Sequence, residues 1–138
     1  AAAGLSRLVI TQTHARTALR ALHRLIDIQP PDRRDTFRRQ LADHLAASVA
    51  QTLLPTAYDP QPGKARRVPA YDVLIPDADF RRSLAEGRNP LSRSAPLPQS
   101  QSIVDEIRAL AARHAISAET AAAALAEYAP LAAPSFWG

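Results

Sequence analysis

The feature that most constrains the fold is a short apolar run that leads at once into an amphipathic helix pattern. Leu8, Val9 and Ile10 form the run, which is typical of a strand buried on both faces, and we predict a strand over Leu8–Thr11. Leucine and isoleucine then recur at helical spacing, which predicts a helix over about residues 16–28, ended by Pro30. A buried strand that feeds directly into a helix is half of a βαβ unit, so the pattern indicates a mixed α/β fold.

His14 stands where the predicted strand ends and the helix is about to begin. Ligands of such sheets gather at the carboxyl ends of the strands. An imidazole at that position can hydrogen-bond a phosphate or a water molecule. It can equally cap the helix or pack at the edge of the sheet, and the residue alone leaves both interpretations open.

Two further helices and a hairpin follow. Apolar residues at every fourth position from Phe37 to Val49 predict a second helix, with Asp32 as its N-cap and its end near Gln51. The segments 52–55 and 67–75 read as two strands of an antiparallel hairpin, joined by the breaker-rich turn 59–63. Pro76-Asp-Ala-Asp79 is predicted to open a short helix that contains Phe80, Leu84 and Glu86 and is closed by Gly87.

The rest of the chain reads as a linker, two helices and a tail. Residues 89–100 are rich in Pro, Ser and Gln, and Ser102 and Ser117 are placed to cap the helices that follow. We therefore predict a division into residues 1–88, a linker at 89–100, a helical unit at 101–129 and a tail at 130–138. At the other end, residues 1–3 favour a helix that Gly4 would end.

Several segments, in unbroken order, resemble the type II/type IV secretion ATPases, and most of all their pilus-retraction (PilT-like, twitching-motility) branch. The first, residues 7–14, looks like the "His box" of that family, and the others continue the resemblance over most of the chain. They are Arg24-Leu-Ile-Asp27, Phe37-Arg-Arg-Gln-Leu41, Val49-Ala-Gln-Thr-Leu-Leu-Pro55, Arg67-Val-Pro-Ala-Tyr-Asp-Val-Leu-Ile75 and Asp79-Phe-Arg-Arg-Ser-Leu-Ala-Glu-Gly87.

The resemblance implies a fold, an assembly and a partner. The fold would be the C-terminal part of a RecA-like P-loop NTPase core with a β-hairpin, followed by a small helical C-terminal domain. The protein would be a cytoplasmic homo-hexamer that acts on pilus or secretion machinery at the inner membrane. Residues 79–87 are similar to a segment linked in the family to force-generating motion, and its pattern is kept at Phe80, Arg81, Leu84 and Glu86.

His14 would be the catalytic, nucleotide-sensing residue, with Gln12 and Thr13 as neighbours of the nucleotide. The family has Thr two residues before the histidine and Thr directly after it, where this chain has Gln12 and Ala15. The hydrogen-bonding neighbours of His14 therefore differ from the family's pattern.

The chain has no phosphate-binding motif. It contains no Gly-x-x-x-x-Gly-Lys-Ser/Thr, and no acidic residue follows an apolar strand to hold magnesium. The resemblance puts both motifs upstream of the His box, so we expect that the sequence is a fragment. ATP and Mg²⁺ would bind only in a longer protein, and this chain alone is not expected to hydrolyse ATP.

Composition adds little to this. The excess of 17 Lys+Arg over 13 Asp+Glu is mild, and the arginine pairs near residues 33–39 and 66–67 fit a solvated or subunit-contact face better than nucleic acid binding. The absence of cysteine fits a reducing cytoplasm, and no metal-ligand spacing is visible.

Three interpretations stay open from the sequence. The first is the C-terminal portion of a motor ATPase. The second is a non-catalytic interaction or regulatory module derived from the same fold, which the changed neighbours of His14 would mark. The third and weakest is an independent basic domain that binds nucleic acid.

Overall fold

The computed structural model describes residues 7–57, 66–92 and 95–132. In these ranges five α-helices flank one antiparallel hairpin, and a short 3₁₀ helix follows the last of them. In chain order the elements are α1 (Ala18–Asp27), α2 (Arg34–His44), β1 (Ser48–Pro55), β2 (Arg67–Leu74), α3 (Ala78–Ala85), α4 (Ile103–Ala112), α5 (Ala118–Tyr128) and the 3₁₀ helix (Ala129–Ala132). Within the same ranges, no helix has the length and apolar character that crossing a membrane requires.

Two hydrophobic clusters lie against the inner face of the hairpin. Strands β1 and β2 pair in register from Ser48 opposite Leu74 to Pro55 opposite Arg67. Alternate residues of each strand point inward, as the period of two requires, so that Ala50 and Leu54 are buried while Val49 and Leu53 are exposed. A two-stranded hairpin is only marginally stable alone, and here helices cover its inner face.

The amino-terminal cluster joins helices α1, α2 and α3 to the end of β2. Phe80 and Leu84 of α3 are fully buried, and Leu22 of α1 is buried with them. Leu97, which lies between α3 and α4 in the sequence, also packs into this cluster. The buried members are Ala18, Leu22, Ile26, Ala42, Leu74, Phe80, Leu84 and Leu97.

The carboxy-terminal cluster joins helices α4 and α5 to the same hairpin. Leu54 of β1 and Ala70 of β2 pack against Ile107 and Leu110 of α4, which are fully buried. The Ala57 amide, just past β1, donates to the Ala115 carbonyl at 2.9 Å. The remaining buried members are Ile103, Ile116, Ala121, Ala124 and Tyr128.

The end of the predicted linker is fastened to β2. Gln101 and Val73 exchange two backbone hydrogen bonds of 2.8 Å each, and the Ser100 hydroxyl accepts from the Ile75 amide at 2.9 Å. Hairpin residues contribute to both clusters, so the predicted boundary at 89–100 does not separate two cores in the described residues. The division into residues 1–88 and 101–129 as functional units stays a prediction.

Most of the predicted helix starts and ends are confirmed. Ser102 and Ser117 cap α4 and α5, since their hydroxyls accept from the amides of the third residue onward at 3.1 and 3.0 Å. Gly87 follows α3 with a φ of +73°, a left-handed conformation that suits glycine. Helix α1 and strand β2 lie within a few residues of their predicted bounds.

The predicted strand over Leu8–Thr11 is wrong for this structure. Residues 7–15 have no regular secondary structure, and Leu8, Val9 and Ile10 are 82%, 50% and 85% exposed. An apolar run forms a strand only when a neighbouring strand pairs with its backbone amides and carbonyls. The described residues offer this run no such neighbour.

The predicted end of α2 is wrong as well. The helix ends at His44 rather than near Gln51, and β1 begins at Ser48. Val49 continues the apolar four-residue spacing, but in the structure it pairs with Val73, and this pairing decides in favour of the strand. The N-cap of α2 is Arg33 and not the predicted Asp32, and Arg33 makes no side-chain capping hydrogen bond.

Three predictions fall on residues that the structure does not describe. These are the helix end at residues 1–4, the turn within 59–63 and the tail beyond residue 132.

We expect the two clusters to unfold together, because both include residues of the hairpin. Replacing the fully buried Ile107 by Ala should lower the free energy of unfolding by about 2–5 kcal/mol. Hydrogen exchange followed by mass spectrometry should then show faster exchange in α1 as well as in α4. Val104→Ala, at a partly buried position of the same helix, is the matched control and should cost less. Loss of α4 and α5 alone would contradict a shared unfolding unit.

Candidate functional site

The loop before α1 is fixed at its base by three hydrogen bonds. Thr17 is the N-cap of α1 and is 5% exposed, and its hydroxyl accepts from the Arg20 amide at 3.3 Å. The amide of Ala18 donates to a carboxylate oxygen of Asp72 on β2 at 2.6 Å. The Ser48 hydroxyl, at the start of β1, donates to the Ala18 carbonyl at 2.9 Å. The hairpin therefore sets where the loop enters the helix.

This loop and the edge of β1 enclose a cleft of about 620 Å³. Gln12, Thr13 and His14 all line the cleft. Gln12 and His14 are exposed, and Thr13 is half-buried. The structure thus brings the three residues predicted from the sequence to one cleft. The complete lining is Gln12, Thr13, His14, Ala15 and Arg16 from the loop, Ala21 from α1, and Val49, Ala50 and Gln51 from β1.

Two polar residues of the cleft were not predicted from the sequence. Arg16 lies two residues after His14, and its guanidinium is 2.6 Å from the carboxylate of Glu127 on α5. The sequence predicts Gln51 near the end of a helix, whereas in the structure it is an exposed residue of β1 that lines the cleft. In the hairpin Gln51 lies opposite Tyr71, and this position could be predicted only if residues 48–55 were first recognised as a strand.

The chemistry of the cleft suits an anion better than a metal ion. Its polar groups are an imidazole, a guanidinium, a hydroxyl and two amides, all able to donate hydrogen bonds, and no carboxylate lines it. Among the residues that the structure describes, no cluster of three or more His, Asp or Glu could hold a metal. A phosphate fits this donor set, and a magnesium ion would need ligands from elsewhere.

The residues singled out on α3 lie away from this cleft. Phe80 and Leu84 are fully buried in the amino-terminal cluster. Glu86 forms an ion pair with Arg88, next to Gly87. Arg81 donates to the carbonyls of Ala42 and Leu45 at 2.7 and 2.8 Å. A role of these four residues in motion or partner contacts stays a prediction.

Arginine side chains complete the carboxyl ends of two helices. Arg81 binds the last carbonyls of α2, and Arg34 donates to the carbonyls of Asp27 at 2.9 Å and Gln29 at 3.1 Å beyond α1. The last carbonyls of a helix have no partner within it, and a cation is favoured there by the helix dipole. Part of the arginine excess is thus used inside the fold.

Burial shifts the pKa of two groups near the loop. Burial raises the pKa of Asp72, against the opposing effect of the Ala18 and Ile103 amides that donate to it. Burial also lowers the pKa of His23 on α1, which nearby Arg20 lowers further while Asp27 acts to raise it. Both shifts follow from the cost of placing a charge away from water.

Solved structures resemble the chain, among them two that cover most of its length. One is a crystal structure of the pilus retraction motor PilT with bound ADP, with 31% sequence identity and a TM-score of 0.65 over 81% of this chain. The other is the ATPase DotB of Legionella pneumophila, with 16% identity and a TM-score of 0.63 over 83% of this chain. At that identity DotB shows the fold alone. No protein-family model and no curated protein sequence matches the chain.

These similarities confirm the predicted mixed α/β fold class and the resemblance that the sequence motifs indicated. The chain spans 30% of the length of each of the two structures.

Replacing Arg81 by Ala should destabilise the fold through the end of α2. The variant removes the charged donor of two short hydrogen bonds to helix carbonyls, and we expect a loss of about 1–3 kcal/mol in the free energy of unfolding. Arg82→Ala is the matched control, because Arg82 makes only an exposed ion pair with Asp79 at 3.3 Å and should change stability by less than about 0.5 kcal/mol. Equal denaturant midpoints for the two variants would contradict this role.

The stability of the chain should depend on pH through His23. Its folded-state pKa is lowered, so the unfolded chain binds the proton more readily than the folded one. The contribution is fully present above the unfolded pKa of about 6.5 and is lost as pH falls from there through the lower folded pKa. Denaturant titrations at several pH values should show this slope in the wild type and a smaller slope in His23→Gln. Identical slopes would contradict the assignment.

Proposed function

We propose that the chain, which resembles the PilT-like secretion ATPases, works as the C-terminal portion of a pilus or secretion motor ATPase. The observation that carries the proposal is the cleft at the start of α1, where His14, Gln12 and Thr13 meet beside the edge of β1. PilT, which is 31% identical to the chain, is a pilus retraction motor with bound ADP.

In this proposal the nucleotide is shared between this chain and a P-loop that it does not contain. The sequence has no P-loop motif, and the cleft has no carboxylate for magnesium. ATP, with its Mg²⁺, would be held by the P-loop of a longer protein and by a neighbouring subunit of a homo-hexamer. What this chain supplies is a set of hydrogen-bond donors at the terminal phosphate.

His14 is the residue to which we assign the chemistry. It is exposed in the cleft and stands four residues before the first residue of α1, so its backbone is held by a helix start that is itself tied to the hairpin. An imidazole there can hydrogen-bond the γ-phosphate or orient the attacking water, which are roles that matter in the transition state more than in binding. Gln12 and Thr13 neighbour the nucleotide in the same proposal.

In this proposal ATP hydrolysis drives a motion of the motor, and that motion acts on pilus or secretion machinery at the cytoplasmic side of the inner membrane. The α3 segment with Phe80, Arg81, Leu84 and Glu86 is the candidate for passing the nucleotide state to the rest of the motor. Its buried face packs mainly on α2 and belongs to the same hydrophobic cluster as α1, whose start carries the His14 loop. Arg81 also binds carbonyls at the end of α2.

A second candidate is a non-catalytic module with the same fold. The observation that favours it is the pair Gln12 and Ala15, which replace the threonines of the family on either side of His14. Restoring both threonines, by Gln12→Thr with Ala15→Thr, should raise turnover if the site is catalytic. Unchanged turnover at a retained melting temperature would favour the module.

His14→Ala should separate catalysis from folding in a protein that joins this chain to a P-loop segment. We expect ATP affinity to stay within a few-fold while hydrolysis falls by about 10²-fold, the scale of losing one positioned polar or proton-transfer group. Binding of a fluorescent ATP analogue, steady-state hydrolysis and thermal unfolding should be measured on one preparation.

The matched control for this variant is His44→Ala, at an exposed histidine that ends α2 and does not line the cleft. It should leave hydrolysis unchanged. A lowered melting temperature with normal hydrolysis in His14→Ala would instead mean that His14 serves the fold only.

A further inference from the structure

One half-buried carboxylate joins the two halves of this structure. Asp72 lies on β2, and its two oxygens accept hydrogen bonds from two different helices: Oδ2 from the Ala18 amide at 2.6 Å, and Oδ1 from the Ile103 amide at 3.0 Å. Ala18 is the first residue of α1 and Ile103 is the first residue of α4. Ala18 belongs to the amino-terminal cluster and Ile103 to the carboxy-terminal cluster.

The arrangement requires an anion with two acceptor oxygens. The first amides of a helix lack partners within it, and the helix dipole favours negative charge there. A carboxylate can accept one bond from each helix, whereas an asparagine has one acceptor oxygen and would turn its NH₂ group toward the second amide. The identity of this residue therefore matters beyond its size.

Both helix starts are also fixed to the hairpin that carries Asp72. Gln101, two residues before Ile103, exchanges its pair of backbone hydrogen bonds with Val73. On the other side, Ser48 holds the Ala18 carbonyl at 2.9 Å and pairs with Leu74 in the hairpin. If α4 moves relative to β2, either the Asp72 side chain and the start of α1 move with it, or one of the two hydrogen bonds that Asp72 accepts is broken.

The start of α1 is also the base of the His14 loop. Only Ala15, Arg16 and Thr17 separate His14 from Ala18, and Thr17 is buried as the helix cap. A second link runs over the surface from Arg16 to Glu127 of α5. That ion pair is about half exposed on both sides, and such pairs contribute little energy, so the Asp72 carboxylate is the stronger of the two connections.

We propose that Asp72 is a positioning residue that couples the start of α4 to the His14 loop, so that displacement of the C-terminal helices changes the geometry of the cleft. The inference rests on the proposed function for what the cleft does, but the coupling itself is a property of this chain. When α4 and α5 are not displaced, the same carboxylate keeps the His14 loop in its position at the start of α1.

The coupling can be measured on this chain without nucleotide. Ser102→Ala removes the hydroxyl that caps α4 and loosens its first turn. We expect the His14 ring resonances to shift and the amides at the start of α1 to exchange several-fold faster. Ser117→Ala, which removes the equivalent cap of α5, is the matched control: it should leave the His14 resonances unchanged and should speed α1 exchange only as far as the loss of global stability does.

The Asp72→Asn variant tests the carrier of the coupling. In that background Ser102→Ala should no longer move the His14 resonances, because one of the two helix starts has lost its bond. Should Asp72→Asn fail to fold, the Ser102→Ala result on the otherwise wild-type chain decides by itself. A Ser102→Ala chain with unchanged His14 resonances and unchanged α1 exchange would overturn the proposal.

Activity provides the second readout. In the protein that includes a P-loop, Asp72→Asn should lower kcat by about 10- to 100-fold, the scale for misplacing a catalytic group from a distance, with the KM for ATP within a few-fold. Asp35→Asn, at an exposed carboxylate in the first turn of α2, should retain wild-type kcat. Intact kcat in Asp72→Asn, with wild-type ATPase present, would refute the positioning role and leave the proposed function standing. Coupling seen by NMR, with no ATPase in the wild type, would refute the proposed function instead.

Discussion

The fold depends on the pairing of β1 with β2, because neither strand nor either helical cluster has another platform in the described residues. The hairpin buries Leu74 with the three helices around it and buries Leu54 and Ala70 with α4 and α5. An isolated pair of strands is marginal in water. Its stability here comes from helices on its inner face, and the helices in turn are positioned by its register.

Much of the local structure could be predicted from the sequence, since short-range rules decide it. Ser102 and Ser117 are N-caps because a hydroxyl can accept a hydrogen bond from an amide in the first turn. Gly87 ends α3 because glycine readily takes the left-handed conformation that often follows a helix, here with a φ of +73°. These rules need no knowledge of distant parts of the chain. His14 was singled out from an expected strand end and from the family pattern; the structure has an irregular loop in place of that strand, and this loop places His14 in the cleft.

The failures have the opposite character, because each depends on a contact with a residue far along the chain. Val49 continues a helical spacing, and only its pairing with Val73 places it in a strand. Arg81 belongs to a segment identified from the family pattern, yet its bonds to α2 carbonyls nearly 40 residues away were not foreseen. Asp72 gave no signal at all, since one acidic residue in a strand does not reveal which helices will start beside it.

The exposed run at residues 8–10 has a consequence for how the chain behaves in solution. Three large apolar side chains stand side by side on backbone that, in the described part of the structure, pairs with no strand. Such a segment is a template for pairing between molecules. Concentrated samples of this chain should therefore self-associate through it, and a lysine introduced at Val9, half exposed and central in the run, should keep them monodisperse.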